Sequence, residues 1–103
     1  MSLYVQLAIN VPSIAGVFDY SIPATLAGNI RVGHLVTVPF NKQIVKGVVL
    51  SFVEEPSVRE FKEIIDLLDP EPVLTQAQIS LAESLAESTL SSLAAMIYLF
   101  LPA

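Results

Sequence analysis

Residues 31–53 read RVGHLVTVPFNKQIVKGVVLSFV, and this stretch decides the fold. Residues 31–40 form one β run. Asn41-Lys42-Gln43 is polar and turn-like, and residues 44–53 form a second run rich in valine. Two such runs around a short polar break predict a β-hairpin. Pro39 lies near the end of the first run, where its missing N–H does least harm. Gly47 inside the second run predicts a bulge or a sharp bend. Long, bent hairpins of this kind build small barrels.

The hairpin has β neighbours on its N-terminal side. In residues 4–11, Val5, Leu7, Ile9 and Val11 share one face, and Tyr4, Gln6, Ala8 and Asn10 share the other. That alternation predicts a half-buried strand. Pro12 ends it and Gly16 allows the following turn; residues 17–22 read as a second short strand closed by Pro23. Residues 24–29 read as a loop turning at Gly28-Asn29.

Past the hairpin, Glu54 to Ser57 is a polar break. Phe61, Ile64, Ile65 and Leu68 fit a helical stripe or a short strand equally well. Asp69-Pro70-Glu71-Pro72 is a firm break. Thr75 stands three residues before Gln78, the spacing of a capping box, so a helix is expected over 76–87 with Ile79, Ala82, Leu85 and Ala86 buried. Residues 88–92 are a weak zone, and residues 93–101, apolar on every side, predict a second helical stretch stopped at Pro102. The expected fold class is α+β: a small barrel-like antiparallel sheet with one or two C-terminal helices, making a single domain over 1–103.

Composition narrows the function. The 103 residues contain no cysteine, so disulfides and thiolate metal sites are excluded. No phosphate-cradling glycine loop occurs. His34 is the only histidine, and within a β run it reads as structural. Glu54-Glu55 reads as a solvated loop, and Glu83 with Glu87 as one exposed helix face. The chain is therefore expected not to be an enzyme. No signal peptide is visible at the start, and residues 93–101 are too few to span a bilayer, which predicts a cytoplasmic protein without membrane contact. The formal net charge is −5, which argues against wrapping a long duplex. Its distribution is uneven. Residues 1–50 hold Arg31, Lys42 and Lys46 against Asp19 alone, whereas residues 51–103 hold Arg59 and Lys62 against nine acids. Any nucleic-acid site is thus expected in the first half, helped by Arg59 or Lys62, and small enough to take one strand end.

Three segments together resemble the N-terminal DNA-binding domain of bacterial primosomal protein N′ (PriA). They are Phe18-Asp19-Tyr20 with Pro23; Gly33-x-x-Val36-x-Val38-Pro39-Phe40 with Gly47-Val48-Val49; and Phe61-Lys62-x-Ile64 with Leu68-Asp69-x-Glu71-Pro72-Val73-Leu74-Thr75. Leu101-Pro102 fits the place where that domain passes to the next. No single piece is specific; their order and spacing carry the resemblance.

The resemblance implies a module that pockets the last nucleotide of a nascent strand, with its free 3′-hydroxyl, at a stalled replication fork. Its partners would be forked DNA, the remaining domains of a 3′-to-5′ helicase and, through them, other primosome proteins. ATP and zinc would belong to the remainder, and this segment would need no cofactor. Carried over by position, the pocket would use Phe18, Asp19, Tyr20, Asn41 and Lys62. A carboxylate accepts hydrogen bonds from base N–H groups or a terminal hydroxyl. Aromatic faces stack bases for about 1–3 kcal/mol, and a lysine neutralises a phosphate. Asn41 stands where the family usually has glycine, and it tolerates left-handed backbone better than most residues. Ser88-Thr89 and Ser91-Ser92 replace the family's tyrosines and helix-breaking residues, which predicts a more continuous C-terminal helix. Residue chemistry alone leaves a second reading open: a small SH3-like barrel that binds a peptide or another subunit.

Overall fold

The computed structural model describes residues 4–11, 14–54 and 62–101. Pro12, Glu55, Ser57, Arg59, Phe61 and Pro102 lie outside the described residues. The alternating N-terminal segment forms strand β1, Tyr4–Val11, paired antiparallel with β2, Ile14–Ser21. β2 begins earlier than the composition of residues 17–22 predicts, because its first residues pair with the end of β1. A short 3-10 turn, Ala24–Leu26, occupies part of the expected loop. The hairpin is formed by β3, Leu35–Phe40, and β4, Gln43–Val53, around Asn41 and Lys42. Both turn residues have positive φ, 49° and 64°, the two-residue geometry whose twist matches that of the flanking strands.

β3 starts four residues later than the β-rich composition predicts. Residues 31–34 turn instead, with the His34 amide donating to the Arg31 carbonyl at 3.1 Å and Gly33 at φ 92°. The fifth strand, β5, is only Asp66–Leu67 and pairs with β3, which resolves the ambiguity after the hairpin in favour of strand. Strand order is β2-β1-β4-β3-β5. The sheet does not close into a barrel. It curls far enough for one isolated bridge, Ser21 to Glu63, to link its two edges. The bulge predicted at Gly47 lies elsewhere. Gly47 pairs regularly with Val36, while the register between β1 and β4 slips so that Leu50 is the extra residue.

Both faces of the sheet are covered, so β1 is not half-buried as alternation alone suggests. Val5, Leu7 and Ile9 enter one core with Tyr20, Val36, Val38, Val49 and Ile64 on the concave face. Ala8, Val48 and Leu50 enter a second core beneath two helices. Helix α1, Gln76–Thr89, begins with the predicted capping box: the Gln78 amide donates to Thr75 Oγ1 at 3.1 Å, and the Thr75 amide to Gln78 Oε1 at 2.9 Å. It buries Ile79, Ala82 and Ala86, but Leu85 lies at the margin of the buried face and stays 37% exposed. Helix α2, Leu93–Leu99, packs against α1, β1 and β2. The two helices are not continuous. Leu90 ends α1 in a left-handed conformation, φ 57°, and Ser92 caps α2, so the serine-rich stretch acts as a stop.

Gly33 joins the two layers. Its amide donates to the Val49 carbonyl at 2.8 Å, and its own carbonyl accepts from Val73 at 2.9 Å and Leu74 at 3.3 Å. A Cβ at this position would lie 1.9 Å from the Leu74 carbonyl oxygen. Positive φ and backbone contact together admit only glycine. Gly33→Ala is expected to lose about 3 kcal/mol or more of stability, measured as a lowered urea midpoint.

Candidate nucleic-acid interface

The curl of the sheet brings some of the residues that the sequence singles out close together and leaves Asp19 on the other face. Strand alternation sends Phe18 and Tyr20 to the concave core and Asp19 to the other face, the side of Val17, which packs against the helix-covered core. The three consecutive residues therefore do not form one wall. The Phe18 ring meets Phe40 edge to face, centroids 5.0 Å apart. Tyr20 is 5% exposed, and its hydroxyl donates to the Pro39 carbonyl at 2.7 Å. A ring so enclosed offers no free face to a base. It clamps β2 to the tip of the β3–β4 hairpin instead. Asn41, next to Phe40, is held exposed at that tip.

Lys62 reaches the same edge by another route. The Ser21 amide donates to the Lys62 carbonyl at 3.0 Å, and the Ile64 amide to the Ser21 carbonyl at 3.0 Å. This short pairing fixes Lys62 two residues along β2 from Asp19, with its side chain exposed. Asp19 is half-buried. It stands in register with Gln6, and Gln6 with Ser51. Gln6 and Ser51 line a cleft of about 220 Å³ between sheet and helices, whose other walls include Gln76, Ile79 and Glu83 of α1 and Leu93 of α2. Asp19 is not itself one of the cleft's walls.

The structure thus gathers Phe18, Tyr20 and the Asn41 turn through Phe40 and Pro39, and places Lys62 beside the end of β2. Sequence reasoning left Phe40, Pro39 and Ser21 out of the site. They contact Phe18, Tyr20 and the Lys62 backbone, and the Val-Pro-Phe run was the available signal. His34 is fully buried. The Arg31 amide donates to its Nδ1 at 2.7 Å, so the proton sits on Nε2, which donates to the Pro70 carbonyl at 3.2 Å. Both nitrogens are occupied by backbone, as the structural reading expects. Among the described residues no three His, Cys, Asp or Glu side chains are grouped to hold a metal ion, and no helix is long and apolar enough to cross a membrane.

The sequence profile of the PriA 3′ DNA-binding domain (3′BD) matches residues 6–102. The chain belongs to this family. It is 37% identical over 97 residues to the replication restart protein PriA of Bacillus subtilis (strain 168), an alignment covering 92% of this chain. The chain spans only 12% of that relative's length. Membership in a DNA-binding family decides against the SH3-like peptide module, and it assigns the segment to binding rather than catalysis.

Burial raises the Tyr20 phenol above the ordinary tyrosine value. The neutral form is therefore favoured by folding, so its contribution is intact below pH ~10 and is lost as the pH rises through the folded-state value. Tyr20→Phe is expected to cost about 0.5–1.5 kcal/mol at pH 7 through the lost hydrogen bond. It should also flatten part of the alkaline decline in stability, read from urea unfolding between pH 8 and 11.

Proposed function

We propose that this chain recognises the 3′ end of a nascent DNA strand at stalled replication forks, as one domain of a longer, cytoplasmic replication-restart helicase. The observation that carries this reading is the family match over residues 6–102. ATP, zinc and contacts with other primosome proteins belong in this reading to the rest of that protein. The domain itself contributes strand-end recognition.

Of the five residues, Asp19, Asn41 and Lys62 are the direct contacts in this proposal. Asp19 accepts a hydrogen bond from the terminal hydroxyl or from a base N–H. Lys62 neutralises a phosphate of the terminal nucleotide, and Asn41 borders the site from the hairpin tip. Phe18 and Tyr20 fix the backbone around Asp19, Phe18 through Phe40 and Tyr20 through Pro39. The half-buried position of Asp19 supports this, since partial desolvation strengthens a charge-assisted hydrogen bond. A 3′-phosphate in place of the hydroxyl would set two like charges against the carboxylate, which explains how the site would tell a free end from a blocked one.

A labelled single strand with a free 3′-hydroxyl, compared with the same strand ending in a 3′-phosphate, tests the proposal by fluorescence anisotropy. The hydroxyl end should bind more tightly, with little dependence on the terminal base. Asp19→Ala should lower that affinity about tenfold, the value of one charge-assisted hydrogen bond. Equal affinity for the two ends would remove the basis of the reading.

A further inference from the structure

The tip of the hairpin carries a surface that the site above does not use. Ile44 is 69% exposed, an unusual position for a large β-branched residue in the sheet. Lys42 and Lys46 flank it at two-residue spacing, both exposed. On β4, Val45 packs against the concave core, which turns Ile44 and Lys46 to the helix side of the sheet. Across the hairpin, Pro39 and Thr37 stand in register with them. The helices do not cover this end. Tyr98 of α2 marks their limit, its hydroxyl donating to the Lys46 carbonyl at 2.9 Å.

The charge of this strip is as distinctive as its exposure. The ion pair seen among the described residues is Arg31 with Glu71 at 3.8 Å, and neither Lys42 nor Lys46 takes part in it. Asp66 stands in register with Thr37 one strand beyond the hairpin and makes no ion pair with Lys46. A protein of net charge −5 therefore presents here two lysines around an exposed apolar side chain. Lys42 lies in the hairpin turn and Lys46 on β4, so the two lysines bracket Ile44 at the tip. Asn41 directly precedes the strip, so a strand leaving the proposed end-binding site passes onto it.

We propose that Lys42, Ile44 and Lys46 form a contact strip for the single-stranded segment leading up to the 3′ terminus. The lysines take two backbone phosphates, and Ile44 packs against a sugar or base between them. This rests on the 3′-end reading for its direction, but its own signature is length and salt dependence.

The test uses the 103-residue chain with Lys42→Ala and Lys46→Ala combined, and separately Ile44→Ser. Affinity is measured against a 12-nucleotide strand and a dinucleotide, each with a free 3′-hydroxyl, from 50 to 200 mM salt. All three positions are exposed, so the unfolding midpoints should stay at the wild-type value. The double lysine variant should bind the 12-mer about five- to tenfold more weakly at low salt. Its slope of log affinity against log salt should shrink by about 1.4, as expected for two lost phosphate contacts on a single strand. Dinucleotide binding and the preference for hydroxyl over phosphate ends should be unchanged. Ile44→Ser should weaken 12-mer binding without changing the slope. Wild-type affinity and slope in the double variant would overturn the strip and leave the end-binding reading standing. A reduced slope in a protein with no end preference would support the strip and defeat the end reading.

Discussion

The absence of one methyl group at Gly33 lets the two layers of this fold meet. The Gly33 carbonyl accepts from Val73 and Leu74, and its amide donates to β4. One residue later, the His34 carbonyl accepts from the Val49 amide at 2.9 Å, and its imidazole ties Arg31 to Pro70. The segment after β5 is thereby bound to the middle of β4 by backbone and by one buried ring. Leu74 is pressed into the second core as a consequence, and Thr75 is left where its hydroxyl caps α1. The position of the helices is thus set mainly by this junction.

The same junction determines which surfaces remain for function. With the helices fixed over Ala8, Val48 and Leu50, the far end of the hairpin is left uncovered. On the concave face, the sheet bends until the Tyr20 hydroxyl on β2 reaches the Pro39 carbonyl on β3. β1 and β4 lie between those strands in the sheet order, so this bond exists only because of the curl. The curl brings together residues far apart in sequence: the aromatic pair of β2, the Asn41–Lys42 turn, and the segment that begins at Lys62. Phe18 is held there by Phe40, Tyr20 by the Pro39 carbonyl and the Lys62 backbone by Ser21.

Much of this was legible in the sequence, and the failures are as informative. The hairpin, the alternating first strand and the capping box are local patterns, and each appears where its pattern falls. The burial of Ala8 was not legible, because alternation reports that two faces differ but not that both are covered. The start of β3 was misplaced because composition favours strand through residues 31–34, while the Gly33 junction and the His34 ring impose a turn. The weak zone read over residues 88–92 is the observed break between the helices, and the greater continuity inferred from the missing helix-breaking residues fails because Leu90 takes a left-handed cap that carries no sequence signal. For the site, the Phe18-Asp19-Tyr20 triplet suggested a carboxylate between two rings. Strand pleating separates them, placing the rings in the core and the carboxylate on the opposite face.

Overall charge is a poor guide to what such a surface can bind. At physiological ionic strength exposed charges are screened within about 8 Å, so a phosphate responds to its immediate neighbours rather than to the net −5. Glu83 and Glu87 lie on α1, in the helical layer, whereas Lys42 and Lys46 occupy the uncovered end of the hairpin, unpaired with acids among the described residues. Segregation of this kind favours a ligand that is itself local. A duplex needs many phosphate contacts, and the few cations of this chain do not supply them, whereas a single strand end requires only one or two. The acidic remainder then acts against extended, sequence-independent coating of DNA, and the same imbalance that argues against a general DNA binder fits a reader of ends.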